Sequence, residues 1–208
     1  CRPGRARGLS LLRETGLLKP LLPEISAMEG VAQPAEYHPE GDVWIHTVLV
    51  LEKLPDMEVS PTLAWGALLH DVGKPPTYRE APDRIRFDGH DRIGAEMSEG
   101  IGKRLRFSND QVERICWLVR THLLFKDVPN MRPARLRRFL SEPGFDEALA
   151  LHHADCLASH GLLDRHAFCL NALQEYGKEP LRPPPLISGH DLIALGHKPG
   201  PTFKAILE

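Results

Sequence analysis

The chain has 208 residues, 42% of them hydrophobic, which is enough to build a core that folds without a metal ion. Its formal net charge of -2 excludes binding of nucleic acid through bulk charge, although a local basic patch would still allow it. It has no apolar run long enough to span a bilayer, no signal-peptide pattern, and cysteines without CxxC spacing, which are typical of reduced thiols. We therefore expect a soluble cytoplasmic protein without a membrane partner.

Helical periodicity dominates the chain. Apolar residues at three- and four-residue spacing predict helices over 10–18, 42–54, 60–70, 90–105, 108–125, 132–140, 146–159 and 162–176. Asp42 is a predicted N-cap, and Ser108 with Gln111 forms a predicted capping box. Two short β-prone segments, 77–79 and 84–87, predict a small hairpin.

These elements predict an all-α helical bundle with one β-hairpin insertion. We expect an N-terminal helical connector over 1–37, a core domain over 38–178, and a linker and tail element over 179–208, where prolines and glycines accumulate. The chain begins with Cys1 and ends at Glu208 within an amphipathic run. We therefore expect it to be a piece of a longer protein.

The most informative motif is His70-Asp71, which ends the apolar helical run of 63–68 and is followed by Gly73 and Lys74. Adjacent imidazole and carboxylate groups at the end of a buried helix can reach one divalent cation. Gly73 lets the chain turn, and Lys74 supplies a cation that attracts phosphate. The alternative for His70 is a core histidine that bonds to a carbonyl.

His46 and Asp155 are polar residues within apolar helical runs. His46 shares a predicted helix face with Val43, Val50 and Leu54, where an unpaired imidazole would be costly to bury. Buried aspartate is rare unless it is paired or bound to a metal. His46, His70, Asp71 and Asp155 thus form a candidate ligand set from three helices, and the alternative is a buried Asp–His hydrogen bond without a metal.

His90 opens a predicted helix and His122 closes the apolar part of another, so both could extend the site to two ions bridged by Asp71. The alternative for each is an ordinary interaction at a helix end. Four further histidines stay unassigned because some of them must face solvent: His152, His153, His160 and His166.

These motifs resemble a known family. The order of a histidine, a His-Asp pair and a distant aspartate is similar to the HD superfamily of metal-dependent phosphohydrolases. More narrowly, segment 30–47 resembles the entry to the HD domain of bacterial CCA-adding tRNA nucleotidyltransferases and their poly(A) polymerase relatives, and segments 17–24, 84–90 and 189–201 continue the likeness. A nucleotidyltransferase head is absent, since no Gly-Ser motif followed by paired aspartates occurs, so CCA addition is not assigned.

The resemblance implies hydrolysis of phosphate esters or nucleotides, including 2′,3′-cyclic nucleotides, by metal-activated hydroxide. Asp71 would position the nucleophile, and Lys74 would help to stabilise the developing charge. One or two divalent ions (Mn, Ni, Co, Zn, Fe or Mg) would be bound. By matching position, the metal residues would be His46, His70, Asp71 and Asp155, with His90 and His122 as a looser correspondence.

An arginine cluster leaves a different function open. Arg132, Arg135, Arg137 and Arg138 could contact tRNA phosphates, or they could form a solvated helix face. In the first case the chain is the tRNA-binding body of a truncated CCA-adding enzyme, with a structural or vestigial metal site. A nucleotide-sensing module is a third interpretation, which binding without turnover would favour.

Overall fold

The structure is a computed structural model that describes residues 4–55, 59–176, 187–198, 200, 203 and 206–207. It confirms the predicted all-α class with a single small hairpin among the described residues. The helices are α1 Arg5–Glu14, α2 Leu18–Leu21, α3 Pro23–Ser26, α4 Val43–Lys53, α5 Pro61–Leu69, α6 Lys74–Thr77, α7 His90–Arg104, α8 Asn109–Thr121, α9 Pro133–Leu140, α10 Phe145–Ala158, α11 Asp164–Tyr176 and α12 Gly189–Ala194, and a 3₁₀ segment covers His122–Asn130.

Side-chain caps fix where the central helices begin. The Asp42 carboxylate accepts the backbone N–H of Ile45 at 3.0 Å, which starts α4 as predicted. The predicted capping box of Ser108 and Gln111 is also confirmed at the start of α8. These bonds satisfy helix donors that would otherwise lack partners, so they set the register of the residues that follow.

The core lies among α4, α5, α8 and α10, and α7 packs along α8. Its largest fully buried side chains include Phe125, Leu69, Ile115, Leu118 and Leu151. His46 and His70 belong to the same set of fully buried side chains, so the polar site is set into the core. Burying imidazoles at this depth is costly unless their nitrogens are satisfied.

The predicted hairpin is confirmed in a shorter form. Strands β1 Arg79–Glu80 and β2 Ile85–Arg86 pair antiparallel, with Arg79 opposite Arg86 and Glu80 opposite Ile85. The hairpin connects α6 to α7 and so returns the chain to the His-Asp motif. Gly73 permits this return, since a Cβ there would lie 2.1 Å from the backbone oxygen of His90.

Several predicted bounds were wrong. The first helix spans Arg5–Glu14 rather than 10–18, because the chain reverses at Gly16, which has a left-handed φ of 74°. The helix predicted over 108–125 changes to 3₁₀ geometry at His122. The helices α2, α3 and α6 were not predicted, since one turn contains too few residues to show a period.

The predicted linker and tail element over 179–208 lies partly outside the described residues, which omit 177–186, 199, 201–202, 204–205 and 208. The described part contains α12, where Ser188 and Asp191 form a capping box. The described part of the chain contains no helix that is both long and apolar enough to cross a membrane. The described cysteines Cys116, Cys156 and Cys169 are free thiols.

Candidate metal centre

Asp71 is the central residue of the candidate site. It follows α5 and His70, and its side chain is 2% exposed. Its two carboxylate oxygens face different partners: Oδ2 lies near His46 and His70, and Oδ1 lies near His90 and His122. One buried carboxylate thus connects two groups of imidazole nitrogens.

The first group combines residues from α4, the end of α5 and α10. The Nε2 atoms of His46 and His70 lie 3.3 Å apart. Nε2 of His46 is 3.1 Å from Oδ1 of Asp155, and Nε2 of His70 is 3.2 Å from Oδ2 of Asp71. We call His46, His70, Asp71 and Asp155 group A.

The second group is formed by the start of α7 and the start of the 3₁₀ segment. The Nε2 atoms of His90 and His122 lie 3.3 Å apart. They lie 3.5 Å and 3.8 Å, respectively, from Oδ1 of Asp71. We call Asp71, His90 and His122 group B, so the structure brings together all six residues that the sequence analysis named as metal residues.

The tautomers of three histidines follow from their Nδ1 partners. Nδ1 donates to the backbone carbonyl of the residue three positions earlier in each case: at 2.8 Å in His70, 2.7 Å in His90 and 2.6 Å in His122. A carbonyl only accepts, so Nδ1 holds the proton of the neutral ring and Nε2 presents a lone pair. Carbonyl anchoring of this kind orients histidines that bind metals.

The donor set of both groups fits a divalent cation. The Nε2 lone pairs of His90 and His122 face each other at 3.3 Å, an arrangement that calls for a cation between them. A proton would not occupy this position at neutral pH, because burial and the neighbouring His90 lower the pKa of His122 to about 3. Imidazole nitrogens and carboxylate oxygens suit Zn, Mn, Fe, Co and Ni.

Charges within the site are strongly coupled. Burial would raise the pKa of Asp71, but the neighbouring His70 imidazole and Lys74 ammonium hold that pKa well below its usual value. Burial would likewise lower the pKa of His46, but the carboxylates of Asp155 and Glu40 outweigh it and raise that pKa to about 9. Asp71 is therefore ionised at neutral pH, as metal binding requires, whereas His46 is protonated there and would release a proton when a cation binds.

Lys74 is more buried than its predicted role as a phosphate-seeking cation suggested. Its Nζ lies 2.7 Å from Oδ2 of Asp71 and donates to Oε1 of Gln33 at 2.5 Å. The side chain is 6% exposed, yet it contributes to the wall of the cleft above the site. Its charge therefore acts first on Asp71.

Sequence analysis assigned no role to His38 and Glu40, which complete the surroundings of His46. Oε1 of Glu40 lies 2.5 Å from Nδ1 of His46 and 2.9 Å from Nδ1 of His38. Both residues lie in the segment 30–47 that carried the resemblance. No local sequence signal identifies Glu40, because its burial against His46 depends on the fold of the segment before α4.

A cleft of about 700 Å³ opens above Asp71 and His122. Its walls include four cationic residues from four parts of the chain: Arg84, Arg120, Lys126 and Arg165. Among the described carboxylates, none pairs with Arg120, Lys126 or Arg165. The same walls carry the carboxylates of Asp88, Asp91 and Asp127, so Arg120, Lys126 and Arg165 mark the part of the cleft that would attract an anion.

The remaining polar residues named from the sequence lie outside groups A and B, although His152 and His160 line the cleft. His152 stacks on Phe125 with ring centroids 4.3 Å apart, and His153 packs against His166 at 4.7 Å. Arg132, Arg135, Arg137 and Arg138 are all exposed at or within α9. Arg137 lies over the Tyr176 ring at 4.6 Å, so it also packs α9 against α11.

Comparisons with known proteins identify the family of the chain. Residues 43–159 match the HD domain family. The A-adding tRNA nucleotidyltransferase of Deinococcus radiodurans and the CC-adding tRNA nucleotidyltransferase of Thermus thermophilus are each 37% identical to the chain, over 99% of the chain and 49% of the relative. The multifunctional CCA protein of Neisseria meningitidis serogroup C is 38% identical over 64% of the chain and 32% of the relative.

The chain spans about half the length of the two tRNA nucleotidyltransferases that it matches along almost its whole length. The predicted resemblance to the HD family and to CCA-adding enzymes is thereby confirmed. The family match covers more than half of the chain and includes all six residues of groups A and B. The chain belongs to the HD domain family.

Proposed function

We propose that this chain is a metal-dependent phosphohydrolase that acts on phosphate esters or nucleotides, of the phosphatase or 2′,3′-cyclic phosphodiesterase type. One observation carries the proposal: the Asp71 carboxylate lies between two pairs of imidazole nitrogens, below a cleft lined with unpaired cations. Membership of the HD domain family supports it.

Groups A and B would each hold one divalent ion, with Asp71 shared between them. Such ions supply Lewis acidity at the phosphate and lower the pKa of bound water. The carbonyl-anchored rings of His70, His90 and His122 keep their lone pairs aimed inward, so little reorganisation accompanies loading. Lys74 holds the Asp71 carboxylate through its 2.7 Å contact and adds positive charge close to where a phosphate would sit.

The cations of the cleft would bind and orient the substrate. Arg120, Lys126 and Arg165 stand on different elements around the opening, so they would attract a phosphate from several sides. Arg120 also acts on the exposed Glu99 carboxylate, whose direct partner is Lys103, so Arg120 stays available for this role. The buried floor formed by His70 and Asp71 restricts access by bulk water from below.

The test combines metal analysis of the purified protein with a screen of phosphomonoesters, 2′-nucleotides and 2′,3′-cyclic nucleotides in the presence of Mn²⁺, Co²⁺, Ni²⁺, Zn²⁺ or Mg²⁺. We expect metal-dependent turnover that Asp71→Asn abolishes and that the exposed control Asp110→Asn retains. Absence of turnover with every metal would refute the proposal. Nucleotide binding without turnover would instead favour a sensing module.

A second candidate function is a tRNA-binding body. Two relatives that align with 99% of the chain are named as tRNA nucleotidyltransferases, and four arginines are exposed within seven residues at α9. We would compare tRNA affinity at two salt concentrations for Arg135→Ala/Arg138→Ala and the exposed control Arg92→Ala/Lys103→Ala. If α9 contacts tRNA phosphates, only the first variant weakens binding and lowers the salt dependence.

A further inference from the structure

One of the four histidines in the site is anchored differently from the others. His70, His90 and His122 donate Nδ1 to neutral backbone carbonyls, whereas Nδ1 of His46 lies 2.5 Å from a carboxylate oxygen of Glu40. The Glu40 side chain is 6% exposed and the His46 side chain is fully buried. This carboxylate therefore acts on His46 with little screening by solvent.

The segment before α4 holds Glu40 in this position. An isolated bridge pairs Ala32 with Asp42, and the N–H of Gln33 donates to the carbonyl of Gly41 at 2.9 Å. Gly41 has a left-handed φ of 81°, which permits the tight turn directly after Glu40. Oε1 of Glu40 also lies 2.9 Å from Nδ1 of His38, a second contact that fixes the carboxylate.

A carboxylate behind an imidazole has two effects on a bound cation. It fixes the ring with Nδ1 protonated and Nε2 facing the ion, and it makes Nε2 a stronger donor. Group A contains the carboxylates of Asp71 and Asp155, and the Glu40 carboxylate lies behind its His46. Group B contains a single carboxylate, that of Asp71, which it shares with group A. Group A thus concentrates more negative charge than group B.

We propose that Glu40 is a positioning residue for His46 that makes group A the tighter of two cation sites, filled before group B. The inference rests on the metal centre of the proposed function, and it adds an order of loading that neither the ligand set nor the family match contains. Loss of such a partner typically weakens metal binding by about 10- to 100-fold.

The experiment titrates the metal-stripped full chain with Co²⁺ by calorimetry. Wild type should bind two ions in two resolved steps, and His90→Ala should remove the weaker step. Glu40→Gln keeps an acceptor for Nδ1 but removes the charge, so the tighter step should weaken by about 10-fold and the weaker step should stay unchanged. Glu40→Ala should weaken the tighter step by about 100-fold. The matched control is Glu36→Gln, on an exposed residue of the same segment, which should leave both steps unchanged.

A second readout does not depend on affinity or activity. In the Zn²⁺-loaded protein, nitrogen-15 NMR should show an Nδ1 proton on His46 that is protected from solvent exchange, and Glu40→Ala should abolish this protection. The unchanged weaker step in each variant serves as the test that the site is still folded.

Three outcomes would overturn the inference: two wild-type steps of equal affinity, equal weakening of both steps by Glu40→Gln and Glu40→Ala, or no change at either step in both variants. If wild type binds two ions in the expected order but hydrolyses no phosphate ester, the proposed function fails and this inference stands. If turnover is metal-dependent but the Glu40 variants load like wild type, this inference fails and the proposed function stands.

Discussion

Nε2 of His90 lies 3.3 Å from Nε2 of His122, although each ring already donates its Nδ1 proton to a backbone carbonyl. Two facing lone pairs are unfavourable without a cation between them. This relationship, rather than the His-Asp motif alone, is the reason to expect a second ion in the site.

His90→Ala and His122→Ala should each reduce bound metal from about two ions to about one and lower turnover on the order of 100-fold, because one Lewis acid is lost. Metal content by mass spectrometry and kcat on the best substrate of the screen would measure these effects. His190→Ala, an exposed position in α12, is the control. If His90 and His122 only contact phosphate, the single variants should keep the wild-type metal content and show a higher KM. A fully active double variant with unchanged metal content would instead show that the site holds one ion.

The buried pair of Asp71 and Lys74 should dominate the stability of the metal-stripped protein. Their charged atoms lie 2.7 Å apart with side chains 2% and 6% exposed. Asp71→Asn leaves the lysine charge buried with Gln33 and the Phe87 ring as neighbours but without a counter-charge at 2.7 Å, so it should lower the free energy of unfolding by about 3 kcal/mol. Urea unfolding of Asp71→Asn, Lys74→Met and the double variant would measure the coupling. A double variant no more stable than Asp71→Asn would contradict a buried ion pair.

Gly73 should control the geometry of group B. A Cβ at this position would lie 2.1 Å from the His90 backbone oxygen and 2.7 Å from the Gly94 nitrogen, so Gly73→Ala must displace the start of α7. We expect lower stability and weaker binding of the second ion, with less effect on the first. Gly100→Ala on the same helix meets no atom within 4 Å and should stabilise the protein by up to about 1 kcal/mol. Unchanged binding of the second ion in a folded Gly73→Ala protein would contradict this role.

Local signals explain how much of the fold could be predicted. The capping box at Ser108 and the N-cap at Asp42 use contacts within four residues, and the helices that follow them were predicted to within a few residues at their starts. One-turn helices such as α6 Lys74–Thr77 carry no period. The change to 3₁₀ geometry at His122 likewise has no signature in the apolar spacing.

The site was predictable where polar residues interrupt apolar helix faces, as His46 and Asp155 do. Its depth was not, because depth depends on how helices pack. Both aspartates belong to the candidate ligand set, yet the Asp155 side chain is 25% exposed while that of Asp71 is 2% exposed. Glu40 was not assigned a role because its contact with His46 depends on the fold of an irregular segment.

His152 provides a pH-sensitive contribution outside groups A and B. Its ring stacks in parallel on Phe125, and burial lowers its pKa to about 4 from 6.5. The titratable and charged groups that act on it are Asp155, His166, Arg165 and His160, and the Cys156 thiol lies 3.7 Å from its ring nitrogens. The folded state therefore keeps this imidazole neutral at pH values where the unfolded chain protonates it.

Because the folded-state pKa of His152 is lowered, its contribution to stability is complete above pH 6.5 and is lost as the pH falls from 6.5 toward about 4. Between pH 7 and pH 5, wild type should lose about 2 kcal/mol more unfolding free energy than His152→Gln, which cannot titrate. Urea unfolding of the metal-stripped proteins at both pH values measures this difference. The packing cost of the substitution is the same at both pH values, so it cancels from the comparison. The exposed control His197→Gln should behave like wild type. Parallel losses in wild type and His152→Gln would mean that His152 is protonated in the folded state or that it is already neutral in the unfolded chain at pH 5.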